Sequence, residues 1–341
     1  MADVADSAGP RRLGRIALRL RVSGVLAFLV LLGAGFTALT PLFLTGQNLG
    51  AIISNAAILA IVAAGQAVVL FTRNLDVSVG SIMGFAAYLT ADFAASHPGV
   101  GPVLILMPIA IGAALGAING LLVAYGRVSP LIATLGTMSL YRGATYIYAG
   151  GQEVTSSKLP RWMLESVNLR LAGIPALFIL AAAIVCALAL FLRFYPIGKR
   201  IYAVGSNPAA SAFFGLRTER IVLFAYVMTG ALCGLAGFLY AARVGTVTVV
   251  LASGWELTSL AAAVIGGVSV TGGSGTVIGA ALGAIVLATI DNGLVLLRVP
   301  EFWRMFIQGS AIVAAASVDV LIGRQLAGTL VARRRTGANR K

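Results

Sequence analysis

Reactive and charged side chains are scarce in this chain. Histidine occurs once in 341 residues, at His97, and cysteine twice, at Cys186 and Cys233, both inside apolar runs. Neither a disulfide framework, a CxxC pair nor a zinc site can be assembled from these. Asp and Glu together number 11, too few and too scattered for a proton relay or a clustered acid–base site. Charged residues make up 11% and hydrophobic residues 59%, with a mean hydropathy of +0.96. Soluble domains carry about a quarter charged residues, so this balance argues against a water-soluble enzyme. A phosphate loop is also missing: the Gly198-Lys199 pair has Arg193 where the first glycine of GxxxxGK[ST] belongs.

What the chain has instead is long uncharged runs. A helix needs about 20 apolar residues to cross a hydrocarbon core of about 30 Å. Val22 to Thr72 holds no ionisable side chain over 51 residues, and Gln47-Asn48 is its natural turn, giving spans near 22–44 and 49–71. Leu257 to Ile290 is uncharged over 34 residues, which as one helix would reach about 51 Å. The cluster Gly266-Gly267-Val268-Ser269-Val270-Thr271-Gly272-Gly273-Ser274-Gly275 must bend it into two. Further spans are predicted near 77–95, 102–125, 129–149, 174–192, 221–242 and 304–323, for about ten crossings. The fold class is an all-α integral membrane protein. Its expected organisation is a basic arm over 1–21, a membrane domain over 22–323 and a basic tail over 324–341. The first apolar run is too long for a secretory signal and no A-x-A site follows, so it is read as an anchor; the first nine or so residues and the tail are read as solvated and disordered.

The formal net charge of +14 resolves into an asymmetry along that ladder. Arg11, Arg12, Arg15, Arg19 and Arg21 precede the first span. Arg73, Arg127 and the group Arg193, Lys199, Arg200, Arg217 and Arg220 occupy alternate loops, and Arg324, Arg333, Arg334, Arg335, Arg340 and Lys341 close the chain. All fall on one face, leaving Lys158, Arg161, Arg170, Arg243, Arg298 and Arg304 for the other. Cations collect on the cytoplasmic side of membrane proteins, so both termini are expected there and a nucleic-acid partner loses its motive.

Glycines at four-residue spacing let helix backbones approach closely. Gly112, Gly116 and Gly120 form one double repeat and Gly275, Gly279 and Gly283 another, with single copies at Gly80/Gly84 and Gly230/Gly234. Each copy alone is generic packing. The two double copies lie five spans apart, and an odd offset reverses direction, as in an inverted internal repeat. Polar groups inside a membrane mark an interior route or a partner. Asp76 and Ser78 open the third run and are also good helix caps. Asn119, Arg142, Glu256 and Asp291-Asn292 could line a polar route, although helix-end snorkelling accounts for Arg142 and Glu256 nearly as well.

The longest basic loop, 193–220, contains Asn207-Pro208, a helix start, and Gly215, a helix stop. A seven-residue helix is marginal unless it docks on something. Three segments in order, Asn74-Leu75-Asp76-Val77-Ser78-Val79-Gly80-Ser81, Gly198-Lys199-Arg200-Ile201-Tyr202-Ala203-Val204-Gly205-Ser206-Asn207-Pro208 and Gly266 to Gly275 with Asp291-Asn292-Gly293-Leu294, resemble the ribose-type permease subunits of bacterial ATP-binding-cassette importers. The resemblance covers most of the chain. It implies that the segment after Asn207-Pro208 is the coupling helix, similar to the Glu-Ala-Ala-x-x-x-Gly motif. Ala209-Ala210-Ser211 and Gly215 fill that motif, with Ala209 in place of the glutamate.

By the same resemblance the chain works in the bacterial cytoplasmic membrane with two ATPase subunits, a second permease subunit like or unlike itself, and an extracytoplasmic binding protein. ATP belongs to the partner subunits and this chain binds no cofactor. The outer segment near 150–173 is the expected face for the binding protein. The cargo read is a small polar solute, a sugar, carried without chemistry. An uncharged sugar needs hydroxyl and amide partners; Asn119, Thr134, Ser269 and Asn292 are the expected lining, with Asp76, Ser78 and Arg142 on the route. A branched-chain amino acid, a nucleoside or a furanose-like signal molecule are other cargoes for the same machine. The stretches Thr134-Leu135-Gly136-Thr137 and Tyr141-Arg142-Gly143 resemble the rhamnose and autoinducer branch. A secondary transporter and a membrane-embedded lipid-modifying enzyme are the more distant readings.

Overall fold

A computed structural model describes residues 9–310 and 313, with side chains from residue 23 onward. The tail over 324–341, most of the 304–323 span and residues 1–8 of the arm lie outside the described residues.

The elements are α1 (Gly9–Leu39), α2 (Gly46–Phe71), α3 (Val79–Ser96), α4 (Leu106–Ala124), α5 (Pro130–Ala149), α6 (Arg161–Ser166), β1 (Arg170–Leu171), β2 (Ile174–Pro175), α7 (Ala176–Phe194), α8 (Pro196–Ser206), α9 (Pro208–Phe213), α10 (Thr218–Val244), α11 (Trp255–Ile265) and α12 (Val277–Leu296). A further helical stretch runs over 301–310. Local signals set the ends. Thr276 Oγ1 accepts from Gly279 N at 2.9 Å to start α12. Pro130 opens α5, and Gly150 at φ +56 closes it. Helix occupies every predicted span region. Among the described residues five helices are long and apolar enough to cross a membrane: α2, α4 with the 3-10 turn before it, α7, α10 and α12.

α11 is the main departure. The 257–290 run was expected to give two membrane-length segments, but α11 has 11 residues, a rise of about 16 Å, half a hydrocarbon core. It stops at Gly266 because the Gly279 backbone lies against that point: a Cβ on Gly266 would sit 2.0 Å from Gly279 O. The chain then continues non-helically to Thr276, enclosed by protein, where irregular backbone can be tolerated at membrane depth. Gly275 also differs from expectation. It lies before α12, at φ +122 against Val268, so only Gly279 and Gly283 of that repeat are helical.

α2 and α10 form the centre. α2 is apolar all round and almost fully buried from Gly50 onward, as a helix enclosed on every side must be. The repeats pack backbone to backbone, although not against one another. α4 lies along α10, where a Cβ on Gly112 would sit 2.1 Å from Gly230 O and one on Gly234 1.9 Å from Pro108 O. α12 lies along α11, with Gly283 over Ala262. The pairings exchange if α2, α3 and α4 are swapped for α10, α11 and α12: α4 on α10 matches α12 on α2, α3 on α10 matches α11 on α2, and α3 on α4 matches α11 on α12. That exchange is the packing expected of an internal repeat. Exposed apolar residues such as Leu31 on α1, Ile132 and Ile147 on α5 and Leu190 on α7 face outward, the arrangement that suits a lipid surround.

The two ends of the bundle differ. At one end α8 and α9 pack beside the 266–276 segment and the C-terminus of α2. At the other, the 150–175 segment bridges to the α10–α11 connection through Val154 and Val247. Trp162 Nε1 also donates to Val100 O at 2.8 Å there.

Candidate functional site

Two groups of residues stand out, and the docking element comes first. Asn207 is extended, and its Oδ1 accepts from Ala210 N at 3.0 Å. Pro208 occupies the first turn and Gly215 takes φ +77 just after the helix ends. The capped helix expected at 207–215 is therefore present as α9. Ala209 is exposed and Ala210 partly so. Phe213 and Phe214 are 87% and 80% exposed, their rings edge to face at 5.9 Å. Two such side chains left uncovered at one helix end are a surface made for a partner.

The rest of the 193–220 loop is not irregular, as expected, but mostly the helix α8. A helix of 11 residues is marginal alone, and tertiary contacts hold it. Phe71 and Tyr202 rings lie 4.5 Å apart. Tyr202 OH donates to Gly275 O at 3.2 Å. Gly273 N donates to Phe71 O at 3.1 Å, and a Cβ on Gly205 would fall 1.7 Å from that same oxygen. α8, the 266–276 segment and the end of α2 thus meet through their backbones. The glycine cluster, read from sequence as a bend, is also one half of this joint.

The second group is a polar seam along α3 and α5. α3 is preceded by the extended connection 72–78, and buried side chains fix that connection from every side. Asp76 Oδ1 accepts from Ser78 N at 2.9 Å and Ser78 Oγ at 2.6 Å. Asn119 Nδ2 of α4 donates to Ser78 Oγ at 2.7 Å. Tyr141 OH reaches Leu115 O at 2.9 Å and Asn119 Oδ1 at 3.3 Å. Thr134 Oγ1 accepts from Val77 N at 3.1 Å. Gln66 Nε2 donates to Asp76 O at 3.0 Å and Tyr226 OH to Leu75 O at 2.8 Å. Asp76, Ser78, Asn119, Thr134 and Gln66 have no more than 1% of their surface exposed.

Further along, Arg142 Nη1 donates to Val249 O at 3.2 Å and Leu251 O at 2.8 Å, holding the α10–α11 connection against α3. Glu256 Oε1 accepts from Gly254 N at 3.2 Å. The Gly80–Gly84 face of α3 admits these groups: a Cβ on Gly80 would meet Glu256 Oε2 and one on Gly84 would meet Arg142. That glycine pair accommodates a connection and two ionic side chains, not a second helix. Three acceptors near this seam are buried without a hydrogen-bond partner: Asp76 Oδ2, Gln66 Oε1 and Glu256 Oε2. An unsatisfied buried acceptor costs about 1–3 kcal/mol, so such groups are kept for a donor they meet in another state.

The structure thus brings together Asp76, Ser78, Asn119 and Thr134, with Arg142 on the same helix pair. It does not bring Ser269 or Asn292 there. Ser269 Oγ pairs with Thr271 Oγ1 at 2.8 Å inside the glycine segment. Asn292 Nδ2 donates to Asn48 Oδ1 at 2.9 Å, tying α12 to the start of α2. Ser78 occupies the cap position of α3 but makes no side-chain cap bond; its hydroxyl serves Asp76. Gln66, Tyr141 and Tyr226 complete the network. Gln66 was legible as the one amide deep in an uncharged run; the tyrosines carried no such signal.

Comparison with known proteins bears on the same residues. The family described as branched-chain amino acid transport system / permease component matches residues 48–316. The autoinducer 2 import system permease protein LsrC of Enterobacter sp. (strain 638) is 40% identical over 299 residues, 87% of this chain and 86% of that protein. LsrC of Escherichia coli (strain K12 / DH10B) is 37% identical over 277 residues, 81% of this chain and 80% of that protein. LsrC of Salmonella paratyphi B (strain ATCC BAA-1250 / SPB7) is 36% identical over 282 residues, 83% of this chain and 81% of that protein. No solved structure matches.

Proposed function

Because the chain belongs to this permease family, the transport subunit of an ATP-binding-cassette importer of sugar-like solutes and not an enzyme, we propose that its cargo is a furanose-like signal molecule of the autoinducer 2 kind. ATP use falls to a partner subunit. We further assign the α8–α9 end to the cytoplasm, with both termini on that side, two ATPase subunits beneath a pair of permease subunits, and a binding protein at the 150–175 end. The clustering of Arg73, Arg127, Arg193, Lys199, Arg200, Arg217 and Arg220 around the α8–α9 end supports that orientation.

In this reading ATPase closure pushes on α9 through Asn207, Pro208, Ala209, Ala210 and the Phe213–Phe214 pair. The backbone joint passes the push to the 266–276 segment and to α2. Packed interiors shift as units and do not deform continuously, so the displacement reaches the two connections that flank α3 and α11. The solute gains its hydrogen bonds in the seam. Asp76 Oδ2, Gln66 Oε1 and Glu256 Oε2 are all acceptors, and a polyol supplies hydroxyl donors. A zwitterionic amino acid would instead need a cation for its carboxylate, and Arg142 Nη1 is already committed to two backbone carbonyls.

The observation that carries the proposal is the backbone joint between the exposed α9 and the membrane interior. The test is uptake by vesicles holding the chain with its ATPase and binding protein. Autoinducer 2 should accumulate only with ATP, and Gly215→Pro should abolish accumulation while the chain still inserts, since proline cannot adopt φ +77. Accumulation without the ATPase would make this a secondary transporter; normal uptake by Gly215→Pro would remove the coupling role from this loop.

A further inference from the structure

At the end opposite α9, α3 and α5 diverge around a cavity of about 660 Å³. Its walls include Tyr88 and Asp92 of α3, Tyr148 of α5, and Gln152, Glu153 and Lys158 of the segment after it. Two hydrogen bonds frame it: Tyr148 OH donates to Asp92 Oδ2 at 2.7 Å, and Tyr88 OH donates to Gln152 O at 2.8 Å. The two rings meet edge to face at 6.1 Å. Tyr148 is 54% exposed, so its ring offers an apolar surface beside the carboxylate it holds. The other carboxylate oxygen of Asp92 and the side chains of Gln152, Glu153 and Lys158 make no hydrogen bond or ion pair with other described residues.

We infer that this cavity is a low-affinity entry site for a neutral, polyhydroxylated solute, held before it reaches the seam; the inference rests on the cargo reading above. The volume falls within the range of small-molecule sites. Two carboxylates and one ammonium nearly cancel, which favours a ligand without net charge over an anion. A sugar fits the remaining chemistry: hydroxyl donors for Asp92 and Glu153, hydroxyl acceptors for Lys158 and the Gln152 amide, and C–H groups for the exposed ring. A divalent cation fits less well, because Lys158 shares the cavity and the described residues contain no group of three or more His, Cys, Asp or Glu able to hold a metal. The placement also serves delivery. The helices that form the mouth carry Thr145, Arg142, Tyr141 and Ser78 further along the same pair.

Saturation-transfer NMR on the full-length chain in nanodiscs, without binding protein, tests this with ribose and autoinducer 2 as probes. Both sugars should receive saturation from the wild-type chain. Ser96→Trp, which fills the cavity from its exposed rim, should abolish the transfer, and Asp92→Asn or Glu153→Gln should weaken binding by about tenfold, one charge-assisted hydrogen bond. Glu153 lies on an exposed segment, so its variant reads the site even if Ser96→Trp folds poorly. Wild-type affinity in Ser96→Trp and Glu153→Gln would overturn the site, as would no transfer from a wild-type chain whose assembled importer takes up the same sugar. Binding that calcium displaces would also overturn it, in favour of a cation site. If the importer takes up neither sugar but the wild-type chain binds them and Ser96→Trp does not, the site stands and the cargo reading falls; no uptake and no binding removes both.

Discussion

The two ends of the molecule are joined in different ways. At the α8–α9 end backbone meets backbone: Gly273 N bonds Phe71 O, and Gly205 and Gly273 leave no room for a Cβ. At the 150–175 end the contacts are single side-chain hydrogen bonds, Tyr88 to Gln152, Tyr148 to Asp92 and Trp162 to Val100, and Gly99, Gly101, Gly150 and Gly151 have open space around them. A joint without slack passes on displacement, whereas an end held by separable side-chain bonds can open and close. The molecule is built stiff where we propose that force enters and loose where we propose that cargo enters.

The largest way to break this contrast is Gly205→Leu. Its side chain would have to displace the Phe71 carbonyl, an overpacking of about 3 kcal/mol or more. Thermal denaturation in detergent should show a strongly lowered midpoint, and an unchanged midpoint would mean the joint has slack. Asn119→Leu comes next. It removes the donor to Ser78 Oγ and the acceptor facing Tyr141 OH, leaving buried groups unpaired at about 1–3 kcal/mol. Stability should fall by that amount and uptake with it; full stability would mean the seam is already wet. Gly99→Ala is the control at the loose end, where nothing lies within 4 Å of the added carbon. Its effect should stay within about 0.5 kcal/mol, and a larger loss would show that this end is also packed.

Much of this was readable in the residues, wherever the controlling physics is local. Asn207-Pro208 and Gly215 act through caps and φ, so α9 could be placed without knowing its neighbours. The uncharged stretch from 257 to 290 is too long for one helix, so a break at the glycine cluster followed from length alone. The short α11 was not legible, because what stops it is the backbone of Gly279, a contact made by folding. α8 escaped notice for the same reason: its polar start, Pro196-Ile197-Gly198-Lys199-Arg200, reads as loop, and Phe71 and Gly273 supply what holds it. Scarcity flagged Asp76, Ser78, Asn119 and Thr134 one by one, but only tertiary structure shows that they clamp a single connection. The same rule also flagged Ser269 and Asn292, which find their partners in Thr271 and Asn48, away from the seam.

The most direct test of force entering through the joint is the ratio of solute imported to ATP hydrolysed by the assembled importer carrying Gly273→Ala. This substitution sets a methyl against the Ser206 backbone at a position with φ +69. If α8 drives the membrane interior through this contact, hydrolysis continues while import per ATP falls by about tenfold or more, the equivalent of roughly 1.4 kcal/mol. Import and hydrolysis both at wild-type levels, in a variant that assembles normally, would contradict it.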